Sequence, residues 1–387
     1  MSVQEQTEGK AALPTEERER RIEVCEQVLR IYSPSGDERD LSRYIFSELE
    51  SRLFHPKQDA AGNVICEVGA GSPALLLCGH MDTVPGEVPV RREGNLLFGR
   101  GACDAKGPLL SMLFAFEDIA VQLSSRNRGE EGRVIFAAVT EEERGSAGLN
   151  ELLKNNLRVD SAIFGEPCGS GKVTVGYRGH VPTTLEIFSN GVHGSAPWLA
   201  ANPAEIAFSI YQSAKEMWPC KERRSTDCVS VALTQIHAGR VSNVTPDKAT
   251  VSLDVRVPFG MGIEEVKSKL QSLVSSYSSR DVRATIEFGD VTEPYKTVMS
   301  SNLVRAVNRS FLKSGLPRPE YVVKSGTGDM NTYALAFGVD AITYGPGDTK
   351  LSHTKEERVS VEEIFQCSNI LKSIALEYFE LFGKQKE

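Results

Sequence analysis

Three short runs of the chain are apolar almost without interruption: residues 74–79 (ALLLCG), 133–140 (RVIFAAVT) and 161–165 (SAIFG). None alternates between apolar and polar positions, which is how strands covered on both faces of a mostly parallel sheet read. A longer apolar run at 108–123 has the length of a buried helix, and a fourth short run, 341–344, lies far downstream. Residues 16–32 predict an N-terminal helix after a short, disordered polar lead. Together these describe an α/β fold, a mixed and mostly parallel sheet flanked by helices.

The middle of the chain follows a different rhythm. From 183–188 the apolar positions alternate, a helix follows at 202–217, then strands at 229–237 and 250–256, a helix at 263–278 and a strand at 283–288. That β-α-β-β-α-β order is ferredoxin-like. The chain therefore predicts two domains, one built from 1–176 with 291–387, the other an inserted α+β domain at 177–290 that serves as a lid or dimerisation module. A length of 387 residues agrees, since single hydrophobic cores stop growing before that size. No internal repeat, coiled coil or low-complexity tract interrupts the pattern.

The polar residues of the short apolar runs lie at their ends. His80 and Asp82 stand where the first strand leaves the sheet, at the carboxyl edge where open α/β sheets place ligands. Two residues apart in extended chain, they point the same way, so Asp82 can fix the tautomer of His80. Asp104 precedes the apolar helix, where a carboxylate also serves as turn or cap. The second strand ends in Glu141-Glu142-Glu143, the third at Glu166, and the fourth runs toward Asp348 and His353. Two histidines with three or four carboxylates exceed one tetrahedral zinc and suit paired zinc, cobalt or manganese. A shared carboxylate would hold two such ions roughly 3.5–4 Å apart, and adjacent glutamates can divide metal binding from general-base work.

Composition narrows the alternatives. A net charge of −8 argues against a nucleic-acid binder, and basic and acidic residues balance within 177–290, so the whole excess of acid lies outside it, where the strand-end carboxylates are. No run reaches the length of a membrane span and the N-terminus lacks an apolar signal core. The eight cysteines, with no C-x-x-C pair, read as reduced thiols of a cytoplasmic protein. No phosphate-cradling P-loop is present, and GRGACD lacks the final glycine of the dinucleotide fingerprint.

In order along the chain, GHMDTVP, GRGACDAKGP, TEEERGSAGL, FGEP, VHGSAP, SGTGDMN and YGPGDTKLSHT resemble the aminoacylase, acetylornithine deacetylase and carboxypeptidase G family of co-catalytic zinc hydrolases. GYRGH at 176–180, SGTGDMN at 325–331 and the segment 344–357 are most similar to its LysW-lysine and LysW-ornithine hydrolases, which release lysine or ornithine from the C-terminal glutamate of a small acidic carrier protein, LysW.

The resemblance implies a zinc-peptidase-like catalytic domain with two Zn2+ per subunit, Co2+ able to substitute. His80, Asp104 and Glu166 would hold the first ion, and Asp104, Glu142 and His353 the second, with Asp104 bridging. Glu141 becomes the general base, Asp82 the residue orienting His80, and the peptide after Asp104 is expected to be cis. His193, otherwise a turn histidine, would reach a partner subunit's site and stabilise the oxyanion, implying a homodimer through the lid. Asn243, Arg256 and Thr327 are placed to bind a substrate carboxylate; Arg256, in mid-strand, needs a partner carboxylate from substrate or protein. An acidic carrier calls for a basic entrance, which Arg91, Arg92, Lys221, Arg223 and Arg224 could supply. The chain departs from the subgroup at Gly328, where a serine is expected, and at His180.

Two other readings share these residues. One is a deacetylase of N-acetyl-ornithine or N-acetyl-lysine, or a related metallopeptidase, with the same chemistry and a different acyl pocket. The other is a binding protein that has kept the fold without its activity. It requires loss of a ligand or base, and every candidate position holds a competent residue.

Overall fold

The computed structural model describes residues 13–125, 132–220 and 226–383. The N-terminal lead and the basic residues Lys221, Arg223 and Arg224 lie outside the described residues. The chain forms two compact units, one of Met1–Lys172, Ser300–Glu320 and Thr343–Glu387, the other of Val173–Met299 and Tyr321–Ile342.

In the first unit the unbroken apolar runs become strands. These are β2 (Ala74–His80), β3 (Gly132–Val139) and β4 (Ser161–Gly165), and beside them lies β1 (Val64–Ala70), which is only partly buried and stands outside those runs. The order is β1-β3-β2-β4; β2 runs parallel to β3 and β4, while β1 pairs β3 antiparallel. All seven residues of β2 and all five of β4 are buried, the burial that their lack of alternation demands. Helix Lys106–Ser125 packs on β2 and β3 and against the C-terminal helix Val361–Gly383. Its rings interlock with the sheet, as where Phe116 and Phe136 lie 5.8 Å apart.

Register gives this sheet its functional edge. His80 pairs with Val139, and Gly79 with Gly165, so β2, β3 and β4 end level with one another. Whatever follows them in sequence must emerge side by side. The peptide bond Asp104–Ala105 is cis, in agreement with the expectation.

The second unit contains β5 (Gly179–Phe188), β6 (Ser230–Ala238), β7 (Lys248–Val257) and β8 (Arg283–Phe288), in the order β6-β7-β5-β8. Alternation is strict along β5 and β7: Val181, Leu185, Ile187, Val251, Leu253 and Val255 point into a core with helices Pro203–Glu216 and Ile263–Ser276. His180, Asp254 and Arg256 lie on the opposite, half-exposed face. The unit is larger than the 177–290 segment, because 291–299 and 321–342 are tied to it. Nδ2 of buried Asn331 reaches the carbonyls of Tyr177, Arg178 and Glu293, while the Tyr295 hydroxyl bonds Val339 and Ala341.

The cysteine expectation fails at one pair. Cys220 and Cys228, with Cα atoms 5.9 Å apart, form a disulfide, within the usual range for such a bridge. A C-x7-C spacing carries no sequence signature, and closeness came from the fold. The other six cysteines form no disulfide, and five of them are buried. Among the described residues no helix is long and apolar enough to cross a membrane.

Candidate metal centre

His80 closes β2 with only 2% of its surface exposed. Its Nδ1 lies 3.0 Å from the backbone carbonyl of Asp82 and 3.3 Å from that residue's Oδ1. A carbonyl only accepts, so the proton sits on Nδ1 and Nε2 presents its lone pair outward. Nε2 is buried without a hydrogen-bond partner, 3.5 Å from Asp104 Oδ1 and 3.9 Å from Glu166 Oε1. An orphaned imidazole nitrogen aimed at carboxylates fits a cation between them.

Asp104 faces two ways. Oδ1 is directed to His80, and Oδ2 lies 3.4 Å from Nε2 of His353. That nitrogen also lies 2.7 Å from Oε1 of Glu143. His80, Asp104 and Glu143 form one group of converging ligand atoms, and His80, Glu142 and Glu166 another, each within 4.8 Å. Burial pushes the Asp104 carboxyl up, but His353 and His80 together hold it well below the usual carboxylate range. The Asp104 contact, opposed by burial and aided by Glu143, raises His353 to about 9.

The acidic triplet is thus shifted by one residue from the expected assignment. Glu143, not Glu142, meets Asp104 and His353, and Glu142 rather than Glu141 stands beside His80 and Glu166. The cause lies in the backbone. Glu141 takes a left-handed φ of 55°, which no residue-type pattern announces, and its carbonyl accepts the N–H groups of Arg144, Gly145 and Ser146. The turn therefore begins at Glu141, and the next two side chains face the cluster.

Asp82 does more than accompany the imidazole. Oδ1 accepts the N–H of Glu142 and Oδ2 that of Glu143, both at 3.0 Å, while the Ser35 hydroxyl bonds Oδ2 at 2.7 Å. Unlike Asp82, the carboxylate of Glu357 was missed by sequence reasoning, and it is wholly buried. Its Oε1 receives the N–H groups of Cys103 and Asp104, and Oε2 binds Arg100 at 2.7 Å. In sequence Glu357 lies inside a charged stretch, KEER, that reads as solvated surface.

Gly148 explains part of the motif. A Cβ there would lie 2.4 Å from Asn63 Oδ1 and 2.5 Å from the Thr140 nitrogen, so only glycine lets Ala147–Lys154 pack under the turn.

The expected substrate residues fall into two pairs on the second unit. His193 and Asn243 are exposed neighbours, joined where the Gly194 N–H donates to the Asn243 carbonyl at 2.7 Å. The Ser195 N–H donates to His193 Nδ1, leaving the His193 proton on Nε2 as a donor. Arg256 binds Asp254 in bidentate fashion, at 2.7 and 2.9 Å, and reaches the Thr327 hydroxyl at 3.3 Å. The carboxylate that Arg256 demands is therefore supplied by its own strand. His180 also finds its place, with Nε2 3.3 Å from Asp254 Oδ2. Arg91 and Arg92 are both exposed.

A level strand edge that gathers two imidazoles and three glutamates around a two-faced aspartate defines a metallohydrolase of the peptidase type. Residues 76–377 match peptidase family M20/M25/M40, and the chain belongs to that family. A Pyrobaculum aerophilum protein provisionally named LysW-lysine/LysW-ornithine hydrolase is 36% identical over 90% of this chain and 95% of its own length. The LysW-lysine/LysW-ornithine hydrolase of Sulfurisphaera tokodaii is 32% identical over 89% of this chain and 91% of its own. Among solved structures, an M20 family metallo-carboxypeptidase from Sulfolobus solfataricus superposes with a TM-score of 0.76 at 19% identity, covering 93% of this chain and 99% of that one. A dinuclear metal-binding M20 peptidase from Bacillus subtilis gives 0.74 at 15% identity, covering 95% and 99%.

Proposed function

We propose that the chain is a two-metal amide hydrolase that releases lysine or ornithine from the C-terminal glutamate of a LysW-type carrier protein. The observation that carries the chemistry is Asp104, whose two oxygens face His80 and His353 separately. In this reading His80, Asp104 and Glu166 hold one zinc ion, and Asp104, Glu143 and His353 the other. Cobalt serves in their place. When bound, such a pair supplies Lewis-acid polarisation of the amide carbonyl and brings the pKa of water to roughly 7.

The chain's own groups do the proton work. Glu142, beside His80 and Glu166, accepts the proton of the attacking water and returns it to the leaving amine. Its backbone is held by Asp82, so the carboxylate is aimed before substrate arrives. In the homodimer that this reading implies, His193 reaches the site of a partner subunit and offers its Nε2 proton to the developing oxyanion there, and Arg256, Thr327 and Asn243 bind the substrate carboxylate. The names of the relatives support the carrier-bound substrate, and exposed Arg91 and Arg92 suit an acidic partner.

The second unit is read as a lid that also forms a homodimer. Exposed Trp198 and Phe208, with Ile236 on β6 at the end of its sheet, support that role. A cytoplasmic location completes the reading.

A hydrolysis assay on carrier-bound lysine, carrier-bound ornithine and their N-acetyl analogues tests the substrate. Turnover confined to the carrier-bound forms is expected. Comparable turnover of the acetylated amino acids would replace the carrier reading with a deacetylase.

A further inference from the structure

Three consecutive backbone N–H groups of the acidic turn end on buried carboxylate oxygens. Those of Glu142 and Glu143 go to Asp82. That of Glu141 goes to Oε1 of Glu38, at 3.1 Å, and the same oxygen receives the Gly36 N–H at 2.9 Å. Glu38 is 5% exposed and lies immediately before helix Arg39–Ser51, which is anchored by buried Leu41, Ile45 and Leu49. The acceptor is thus held on a rigid element.

Glu141 is where the turn's direction is decided. A left-handed φ in a residue with a Cβ costs of the order of a kcal/mol and persists only where its surroundings enforce it. The Glu38 bond is the contact that fixes its N–H, and the carbonyl on its other side collects three N–H groups of the same turn. If Glu141 relaxed to an extended backbone, the carboxylates of the next two residues would rotate away from His80 and His353.

We propose that Glu38 is a positioning residue for the reaction: by accepting the Glu141 N–H it locks the left-handed residue that aims Glu142 and Glu143. This rests on the roles proposed above for those two glutamates. Oε1 acts as a hydrogen-bond acceptor, not as a charge. Burial, with the Asp82 carboxylate nearby, pushes the Glu38 pKa up, and a glutamine amide carries an acceptor oxygen at the same place for the two N–H groups.

The experiment compares full-length E38Q and E38M with the wild type. The two replacements have nearly the same length, and only glutamine presents an oxygen to both N–H groups. Zinc binding by competition titration, kcat and KM on the amide that the wild type hydrolyses, and melting of the metal-free protein are measured. E38M is expected to weaken one of the two zinc ions by about 10–100-fold and lower kcat by a similar factor, with KM within about twofold. E38Q should restore both to within a few-fold of wild type. Wild-type zinc affinity and kcat in E38M, or equal loss in E38Q and E38M, would overturn the proposal. Should E38M not fold, E38Q alone decides: a loss of zinc affinity at unchanged melting temperature excludes an acceptor role. Parallel E142Q and E143A variants separate the two levels. If they keep full turnover, the reading of the acidic turn fails; if they lose it while E38M does not, only the role of Glu38 falls.

Discussion

The backbone N–H of Asp104 donates to Oε1 of Glu357 at 2.9 Å, so the aspartate between the two histidines is fixed from behind by a carboxylate about 250 residues further along the chain. The other oxygen of Glu357 neutralises buried Arg100. Glu357→Ala should strip both partners at once. A loss of about 3–5 kcal/mol is expected, because the Arg100 charge stays buried without its partner. Urea denaturation of the metal-free protein measures it.

Within the acidic triplet the three glutamates should behave differently. Glu142→Gln is expected to bind two ions yet lose about 10²–10⁴-fold in kcat, as for a general base. Glu143→Ala should bind one ion tightly in place of two. Glu141→Gln, whose backbone rather than carboxylate makes the turn, should stay within a few-fold of wild type. Metal analysis with steady-state kinetics distinguishes the three; a collapse of kcat in Glu141→Gln would return the base to that position.

Removing metal with a chelator should abolish turnover and lower the melting temperature. Four carboxylates gathered beside two imidazoles repel one another unless a cation or protons intervene. Zinc or cobalt is expected to restore both; activity that survives chelation would count against the two-metal reading.

Gly148→Ala should disturb the turn without touching a polar group of the site. The added methyl would meet the nitrogen and oxygen of Thr140, at 2.5 and 2.7 Å, and backbone cannot step aside cheaply. A loss of about 1–3 kcal/mol is expected from such overpacking. Thermal melting reads the stability, and kcat should fall with it.

On the second unit, the hydrogen bond from His180, opposed by burial and reinforced by Arg256, holds the Asp254 carboxyl well below the usual carboxylate range. A folded pKa below the unfolded one stabilises the fold at pH above the unfolded value of about 3.9, and that stability is lost as pH falls through the folded value. Asp254→Asn should therefore be less stable than wild type by about 1 kcal/mol at pH 7, after allowance for partial exposure, and the gap should begin to narrow as pH falls below about 4. Denaturation curves at pH 3, 5 and 7 follow the difference.

Much of this was legible in sequence, for identifiable reasons. Strands buried on both faces must be apolar throughout, so β2, β3 and β4 stood out, and their level ends followed from parallel pairing. Alternation marked β5 and β7 equally well. Where backbone conformation decided the outcome, residue types were silent: nothing in TEEERG distinguishes a turn starting at Glu141 from one starting a residue later. Glu38 and Glu357 escaped because a glutamate among other charged residues reads as surface until the fold buries it. Arg256 had a readable partner, since Asp254 stands two positions before it on the same face of the strand. The Cys220–Cys228 bridge had no counterpart in spacing.

The groups that converge at the sheet edge come from residues 38, 80–82, 104, 141–143, 166 and 353–357, and the contact between Glu143 and His353 spans 210 positions. Pairing so distant forms late, because loop closure must precede it. A growing chain therefore carries its carboxylates long before the histidine that divides them arrives. Until the segment that carries His353 has reached the sheet edge, the protein offers a cation an incomplete set of donors. On the two-metal reading, a chain cut before His353 would keep its carboxylates and lose the imidazole that separates them.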